Sequence, residues 1–307
     1  MSATRHRPEG VSRLRRSVHF VPGGNQRMLD RAVASAADAL VLDLEDAVTP
    51  DRKTDARRTV VEWLGGADFR GKERIVRINP LDSPWGGDDL SAIMRHPPDT
   101  LLVPKVSSVD ELHRLDALLC HLAAQRGHPE SDVGLIPVST ETPRGALNVA
   151  SFPDCCRVVG LSWGAEDLSA ALGASRNRRP DGSYLDVYRY CRVQTLLAAA
   201  AGGVQPIDTV FVDIGDRDGL AAECREAAWM GYTGKITIHP DQIDIVNAAF
   251  TPSAEEVDEA ERLVAAMADA EREGRMAIAF EGRMVDVPHL ERARRLLARA
   301  RQIEERS

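Results

Sequence analysis

The chain is poor in the features that mark several large protein classes. No apolar run approaches the roughly 18 residues that cross a bilayer, which excludes a helical membrane protein. Positive charge is not in excess: 39 Lys and Arg stand against 47 Asp and Glu, a net charge of -8, which argues against nucleic acid as the main partner. A local cluster of arginines can still hold an anionic ligand. Cysteine is sparse. Cys120, Cys155, Cys156, Cys191 and Cys224 are an odd set without zinc-type spacing, so they read as free thiols in a reducing cytoplasm. The adjacent pair Cys155 and Cys156 is read as unbridged. Internal repeats and low-complexity segments are missing as well. The basic, polar start lacks the apolar segment of a signal peptide, so residues 1–15 read as a flexible tail.

What is present is an alternation of strand and helix patterns from Arg16 onward. Eight short Val-, Ile- and Leu-rich runs read as strands: from Ser17, Ala39, Arg74, Thr100, Gly134, Arg157, Thr209 (TVFVDI) and Lys235 (KITIHP). Near-continuous apolar runs of this length suit parallel strands buried on both faces. Helical patterns lie between them. One follows Asn25, a capping residue; one spans about Asp51 to Leu64; one spans Val109 to about Gln125; one spans Leu185 to Ala201 and is stopped by Gly202-Gly203. Pro80 to Gly87 reads as a loop. Eight strand–helix units imply a (β/α)₈ barrel over residues 16–252. A C-terminal helical extension, 253–307, exceeds what a barrel needs. It opens with a capping box at Ser253 and Glu256, passes through a strand-like turn (MAIAFEGRMVDVP) and ends in a helix from His289 to Arg301. It either folds back or reaches a neighbouring subunit.

The exits of parallel barrel strands are where active sites lie. Glu141 and Asp167 follow the fifth and sixth strands. Each is open to a helix-capping role, but two acids at successive exits, with Arg77 at the third, favour a site for a hard cation such as Mg²⁺. Arg77 in a buried strand needs a partner. Asp43, Glu45 and Asp46 supply candidates, and an arginine so held can clamp an oxyanion. The same acids, Glu45 among them, can orient Arg77 and water on a cation. Lys105 ends the fourth strand; a structural or electrostatic role suits it better than a Schiff base. Phe20, Gly23 and Arg27 at the first exit suit a ligand close to the backbone, including phosphates. His239 reads as a satisfied hydrogen-bonder, and Asp286 on local grounds as a cap.

Taken together, SVHFVPG from Ser17, VLDLEDAV from Val41, RINP from Arg77, VPK from Val103, ETPRG from Glu141, GAEDLS from Gly164, FVDIGDRDGL from Phe211, GYTGKITIHPDQI from Gly231 and GRMVDVPH from Gly282 carry a resemblance. The chain resembles the citrate lyase β-subunit-like proteins of the HpcH/HpaI aldolase superfamily, which include malyl-CoA and citramalyl-CoA lyases. That resemblance implies a TIM barrel assembled as a homotrimer or hexamer, with Mg²⁺ on Glu141 and Asp167. It implies Arg77 on the substrate oxyanion, Phe20 and Arg27 on coenzyme A, and Asp286 reaching a neighbouring subunit's active site. The implied reaction is cleavage or formation of a 3-hydroxyacyl-CoA, with an acyl-CoA and a 2-oxo acid on the other side. A malyl-CoA thioesterase, a CoA-independent class II aldolase and the β subunit of a multienzyme citrate lyase are the alternatives. His19 and Ser139-Thr140 depart from the family pattern at positions expected to border the pocket.

Overall fold

A computed structural model describes residues 13–128 and 132–306. The chain divides into two compact units, one ending at Asn247 and one running from Ala248. The first is the barrel. Its eight parallel strands are β1 (Ser17–Pro22), β2 (Ala39–Asp43), β3 (Glu73–Arg77), β4 (Thr100–Val103), β5 (Gly134–Pro137), β6 (Gly160–Leu161), β7 (Gln205–Asp208) and β8 (Gly234–Thr237). They run in sequence order around the sheet, with β1 hydrogen-bonded to both β2 and β8. Parallel bridges from Leu135 to Val158 and from Val138 to Ser162 join β5 to β6 and close the ring.

Period-two alternation decides what each strand presents inward. Val18, Val41, Ile75, Leu102, Ile136, Val159, Ile207 and Ile236 form one buried cluster, the barrel interior. Residues one step out of phase, such as Leu40, Leu42, Val76, Leu101 and Leu135, join a larger cluster with the helices. Among those helices are α1 (Gln26–Ala34), α2 (Lys53–Gly66), α3 (Gly86–Ile93) and α4 (Val109–Gln125). Asn25 caps α1 through a bond from the Met28 amide, as its residue type predicts. The helix α3 has no counterpart in the sequence reading, because its start is two glycines, which are poor helix formers. Here Gly86 is required for contact. A Cβ on it would lie 2.4 Å from the Pro80 carbonyl oxygen.

The seventh strand corrects the sequence reading. Strand β7 is Gln205–Asp208, and the apolar run TVFVDI lies beyond it. Pro206 masked the strand, since proline lacks the amide that a ladder needs. Its carbonyl accepts from the Thr233 amide, just before β8 begins, so the missing donor sits at the start of the ladder. Val212 and Ile214 are about half exposed, which a central strand would not allow.

The bottom of the barrel is closed by charge. Arg15 is buried and donates to both oxygens of Glu73, at 2.6 and 2.7 Å. Thr100 Oγ1 donates to the same carboxylate, and the Arg15 guanidinium also reaches Gln205. Arg15 is therefore part of the barrel, not of a tail; residues 1–12 of the expected tail lie outside the described residues. Removing either partner would strand a buried charge, which typically costs about 3–5 kcal/mol.

His19 is one step out of phase with Val18 and Phe20, so it faces away from the barrel interior and does not border the mouth. Its Nδ1 lies 3.0 Å from Thr237 Oγ1. Burial, then repulsion from His239, pushes its pKa down to about 4, against a bond at Thr237. A depressed folded-state pKa gives stability that is present above about pH 6.5 and is lost as pH falls toward 4. Urea unfolding should find the wild type losing about 2 kcal/mol more than His19→Gln between pH 7 and pH 5. Equal losses would mean that His19 takes up its proton as readily folded as unfolded.

The second unit pairs α10 (Ala254–Arg272) with α11 (Val287–Glu304) around Leu263, Met267, Leu290 and Ala293. The Ser253 capping box is complete: Ser253 Oγ accepts from the Glu256 amide, and Glu256 Oε2 accepts from the Ser253 amide. Between the helices an antiparallel hairpin joins β9 (Ala277–Phe280) to β10 (Arg283–Asp286). Its two loop residues, Glu281 and Gly282, both have positive φ, as a type I′ hairpin turn demands. Val285, Ile278 and Phe280 pack toward the helices. Ala277, Ala279, Met284 and Asp286 alternate onto the opposite face. No helix among the described residues is long and apolar enough to cross a membrane.

Candidate active site at the barrel mouth

The C-terminal ends of β1 to β6 bring together most of the residues singled out in the sequence. Arg77, at the end of β3, is fixed by a two-pronged pair with Asp43, at the end of β2. Its Nε and Nη2 each donate at 2.7 Å to one Asp43 oxygen. Asp43 is itself held by the backbone amides of Glu45 and Ala47. The remaining nitrogen, Nη1, lies 3.0 Å from Glu45 Oε2 and 3.7 Å from Asp46 Oδ2. The Arg77 guanidinium also sits over the Phe20 ring, 4.6 Å from its centroid. Burial disfavours the guanidinium charge, but Asp43 and then Glu45 outweigh that, so its pKa is raised.

Glu45 is buried, and burial raises its pKa against the pull of Arg77 and Lys105. Its Oε1 accepts from Lys105 Nζ at 2.5 Å. Its Oε2 has no hydrogen bond of proper alignment, although Arg77 is close. An aligned donor on a ligand would satisfy that oxygen.

Glu141 and Asp167 follow β5 and β6. Thr140 ties the two exits together: its hydroxyl accepts from the Gly164 amide and donates to the Gly164 carbonyl. Gly164 must be glycine for this approach, since a Cβ there would lie 2.6 Å from Glu141 Cγ. Ser139, by contrast, turns outward and donates to the Ser162 carbonyl near Thr195. It does not border the mouth. The carboxylate of Glu141 accepts from the Lys105 amide at 2.6 Å. Burial, and then repulsion from Asp167, pushes its pKa up to about 8. Asp167, in the first turn of α6 (Glu166–Leu172), lies 3.5 Å from Lys105 Nζ.

The charge balance at the mouth is uneven. Among the described residues, the ion pairs of Asp43, Glu45, Asp46 and Asp167 are with Arg77 and Lys105, Glu141 accepts from the Lys105 amide, and Lys53 adds its charge near Asp43, Glu45 and Asp46. Among the described residues no three His, Cys, Asp or Glu side chains form a ready-made metal cage. A pair of carboxylates is nevertheless what Mg²⁺ usually takes from a protein, leaving its other positions to water and substrate oxygens. The donor set therefore fits Mg²⁺, and the raised proton affinity of Glu141 marks a buried acid short of positive charge.

Arg27 is not drawn into this group. It is exposed in the first turn of α1, with no ion-pair partner among the described residues. Burial lowers the Lys105 pKa, but its hydrogen bond to Glu45 outweighs that and raises it, which disfavours the neutral amine that a Schiff base needs. His239 is half exposed and caps a short helical turn, accepting from the Asp241 amide. Asp286, in the second unit, is the N-cap of α11, and its Oδ1 lies 2.6 Å from His289 Nδ1.

The model of the HpcH/HpaI aldolase/citrate lyase family matches residues 16–240, nearly the whole barrel. The chain belongs to this family. It is 38% identical over 289 residues to a (3S)-malyl-CoA thioesterase of Cereibacter sphaeroides, covering 94% of this chain and 95% of that one. It is 36% identical to the citrate lyase subunit beta of Escherichia coli, covering 94% of each chain. With the mitochondrial citramalyl-CoA lyase of Rattus norvegicus it shares 34% identity over 95% of this chain and 88% of that one. Among solved structures, CitE from Mycobacterium tuberculosis in complex with magnesium, acetoacetate and coenzyme A superposes with a TM-score of 0.77. It has 37% identity and covers 94% of this chain and 99% of the other. These relatives agree on barrel and family and differ in the reaction that their names state.

Proposed function

We propose that this family member is a Mg²⁺-dependent carbon–carbon lyase. Its substrate would be a 3-hydroxyacyl-CoA that carries a carboxylate on the hydroxylated carbon, such as malyl-CoA or citramalyl-CoA. The observation that carries this reading is the mouth itself: two neighbouring strand-exit acids, Glu141 and Asp167, beside an arginine whose fork is already locked by Asp43. Magnesium and coenzyme A in the CitE structure support it.

Glu141 and Asp167 would hold the cation, which when bound draws electron density from the carboxylate and adjacent oxygen of the oxo-acid half. The residues do the rest. Arg77 stabilises charge on the hydroxyl oxygen as it becomes a carbonyl. Glu45, with its unbonded buried oxygen, takes the hydroxyl proton. The bond between the hydroxylated carbon and its CH₂ neighbour breaks, and its electron pair passes to the thioester as an enolate. Asp286 from a neighbouring subunit protonates that enolate, completing acetyl-CoA. Phe20 lines the mouth, and Arg27, exposed at the rim-side helix, would meet the nucleotide end of coenzyme A. This scheme requires a homo-oligomer, a trimer or hexamer. The malyl-CoA thioesterase relative favours a second reading, in which water reaches the thioester at the same site.

The metal assignment is tested by Asp167→Ala. Calorimetry should find Mg²⁺ affinity lowered by at least about tenfold, and turnover of a small hydroxyacyl-CoA panel lowered with it. Wild-type affinity and activity in this variant would remove Asp167 from the site.

A further inference from the structure

Lys105 occupies an unusual position for a surface lysine. Its backbone lies in the left-handed region, at φ +55°, which residues other than glycine adopt only where the surroundings enforce it. That backbone turn does two things at once. It aims the Lys105 amide at Glu141 Oε2, 2.6 Å away, and it places the ammonium among three more carboxylates. Nζ is 2.5 Å from Glu45, 3.5 Å from Asp46 and 3.5 Å from Asp167. One residue thus touches both candidate metal ligands, one through its backbone and one through its charge. The side chain is one-third exposed, so solvent and a cation can reach the ammonium.

We infer that Lys105 sets the cation affinity of the site, its amide orienting Glu141 while its ammonium competes with the cation for Asp167. The inference rests on Glu141 and Asp167 being the metal ligands. A positive charge this close weakens the binding of a second one through an incompletely screened medium. The site then binds Mg²⁺ less tightly than its acids alone would, which keeps the cation exchangeable and holds Glu45 in place beside Arg77.

Two variants separate the charge from the backbone. Asparagine tolerates the left-handed region, so Lys105→Asn keeps the amide on Glu141 and deletes the ammonium. Lys105→Arg keeps the charge. Calorimetry with MgCl₂ on the full-length protein should find Lys105→Asn binding about tenfold more tightly than wild type at low salt, with the gap narrowing at high salt. Lys105→Arg should stay within about threefold of wild type. Thermal unfolding supplies a readout independent of turnover. The Mg²⁺-induced rise in Tm should be larger in Lys105→Asn than in wild type. Unchanged or weaker binding in Lys105→Asn overturns the inference, as does a loss of Tm relative to wild type that is the same in EDTA and in Mg²⁺, which would make Lys105 a structural pair only. Wild-type protein that binds no Mg²⁺ would overturn the metal assignment itself, and the inference with it.

Discussion

Asp286→Asn should leave folding, assembly, Mg²⁺ binding and coenzyme A binding in place while turnover falls by about 10²–10⁴. The amide fills the same space and can still cap α11 from the same position, opposite His289, so α11 keeps its start. What it loses is the acidic carboxyl proton. The chemical step that fails is proton delivery to the enolate. Wash-in of deuterium from solvent into the acetyl methyl group of acetyl-CoA should therefore fail in parallel with cleavage. Asp286 stands on the hairpin face that carries Ala277, Ala279 and Met284, away from its own helical core, which suits a group offered to another surface. Mixing Asp286→Asn with Asp167→Ala subunits tests whether that surface belongs to a neighbour. If subunits exchange, hybrid interfaces contain some wholly wild-type sites and activity returns in part. No recovery despite demonstrated exchange would place Asp286 within its own chain's chemistry, or outside it.

Arg77→Lys is expected to lower turnover by about 10²–10³ with little change in Mg²⁺ affinity. Lysine keeps the positive charge but cannot span both Asp43 oxygens and still present a third nitrogen to the substrate. The same change disturbs a buried pair, so thermal unfolding must accompany the kinetics. A variant that is as active as wild type would reduce Arg77 to a structural partner of Asp43. A variant that merely unfolds earlier, with unchanged turnover below its Tm, would say the same.

Much of this was legible in the chain because the physics acting on it is local. Strands such as β2, ALVLD, are buried on both faces and read as unbroken apolar runs. Acids at the ends of such runs stand out, as Glu141, Asp167 and the Asp43–Asp46 group do. Strand β7 is hidden in the sequence because its proline argues against a strand and the apolar loop after it argues for one; the position of Pro206 at the start of the ladder is a tertiary fact. Arg15 looked like a tail residue because its partner, Glu73, is 58 positions away. The role of Lys105 was hidden for a different reason. Nothing in VPK announces a left-handed backbone, and the amide that holds Glu141 carries no sequence signal. Asp286 was a cap on local grounds and a catalytic acid only by resemblance. The structure supports the cap, through its place at the start of α11 and its contact with His289, and a cap with a half-exposed carboxylate keeps an oxygen for other work.

The central claim is that the mouth of this barrel breaks a carbon–carbon bond rather than a thioester. The measurement that decides it is the identity of the first products, followed by mass from the earliest time points of one incubation with Mg²⁺ and malyl-CoA or citramalyl-CoA. Retro-aldol cleavage by Arg77, Glu45 and Asp286 predicts acetyl-CoA and an equal amount of 2-oxo acid, with no lag and with loss of both when EDTA is added. Free coenzyme A and an intact hydroxy diacid, formed from the first turnover without any 2-oxo acid, would contradict it.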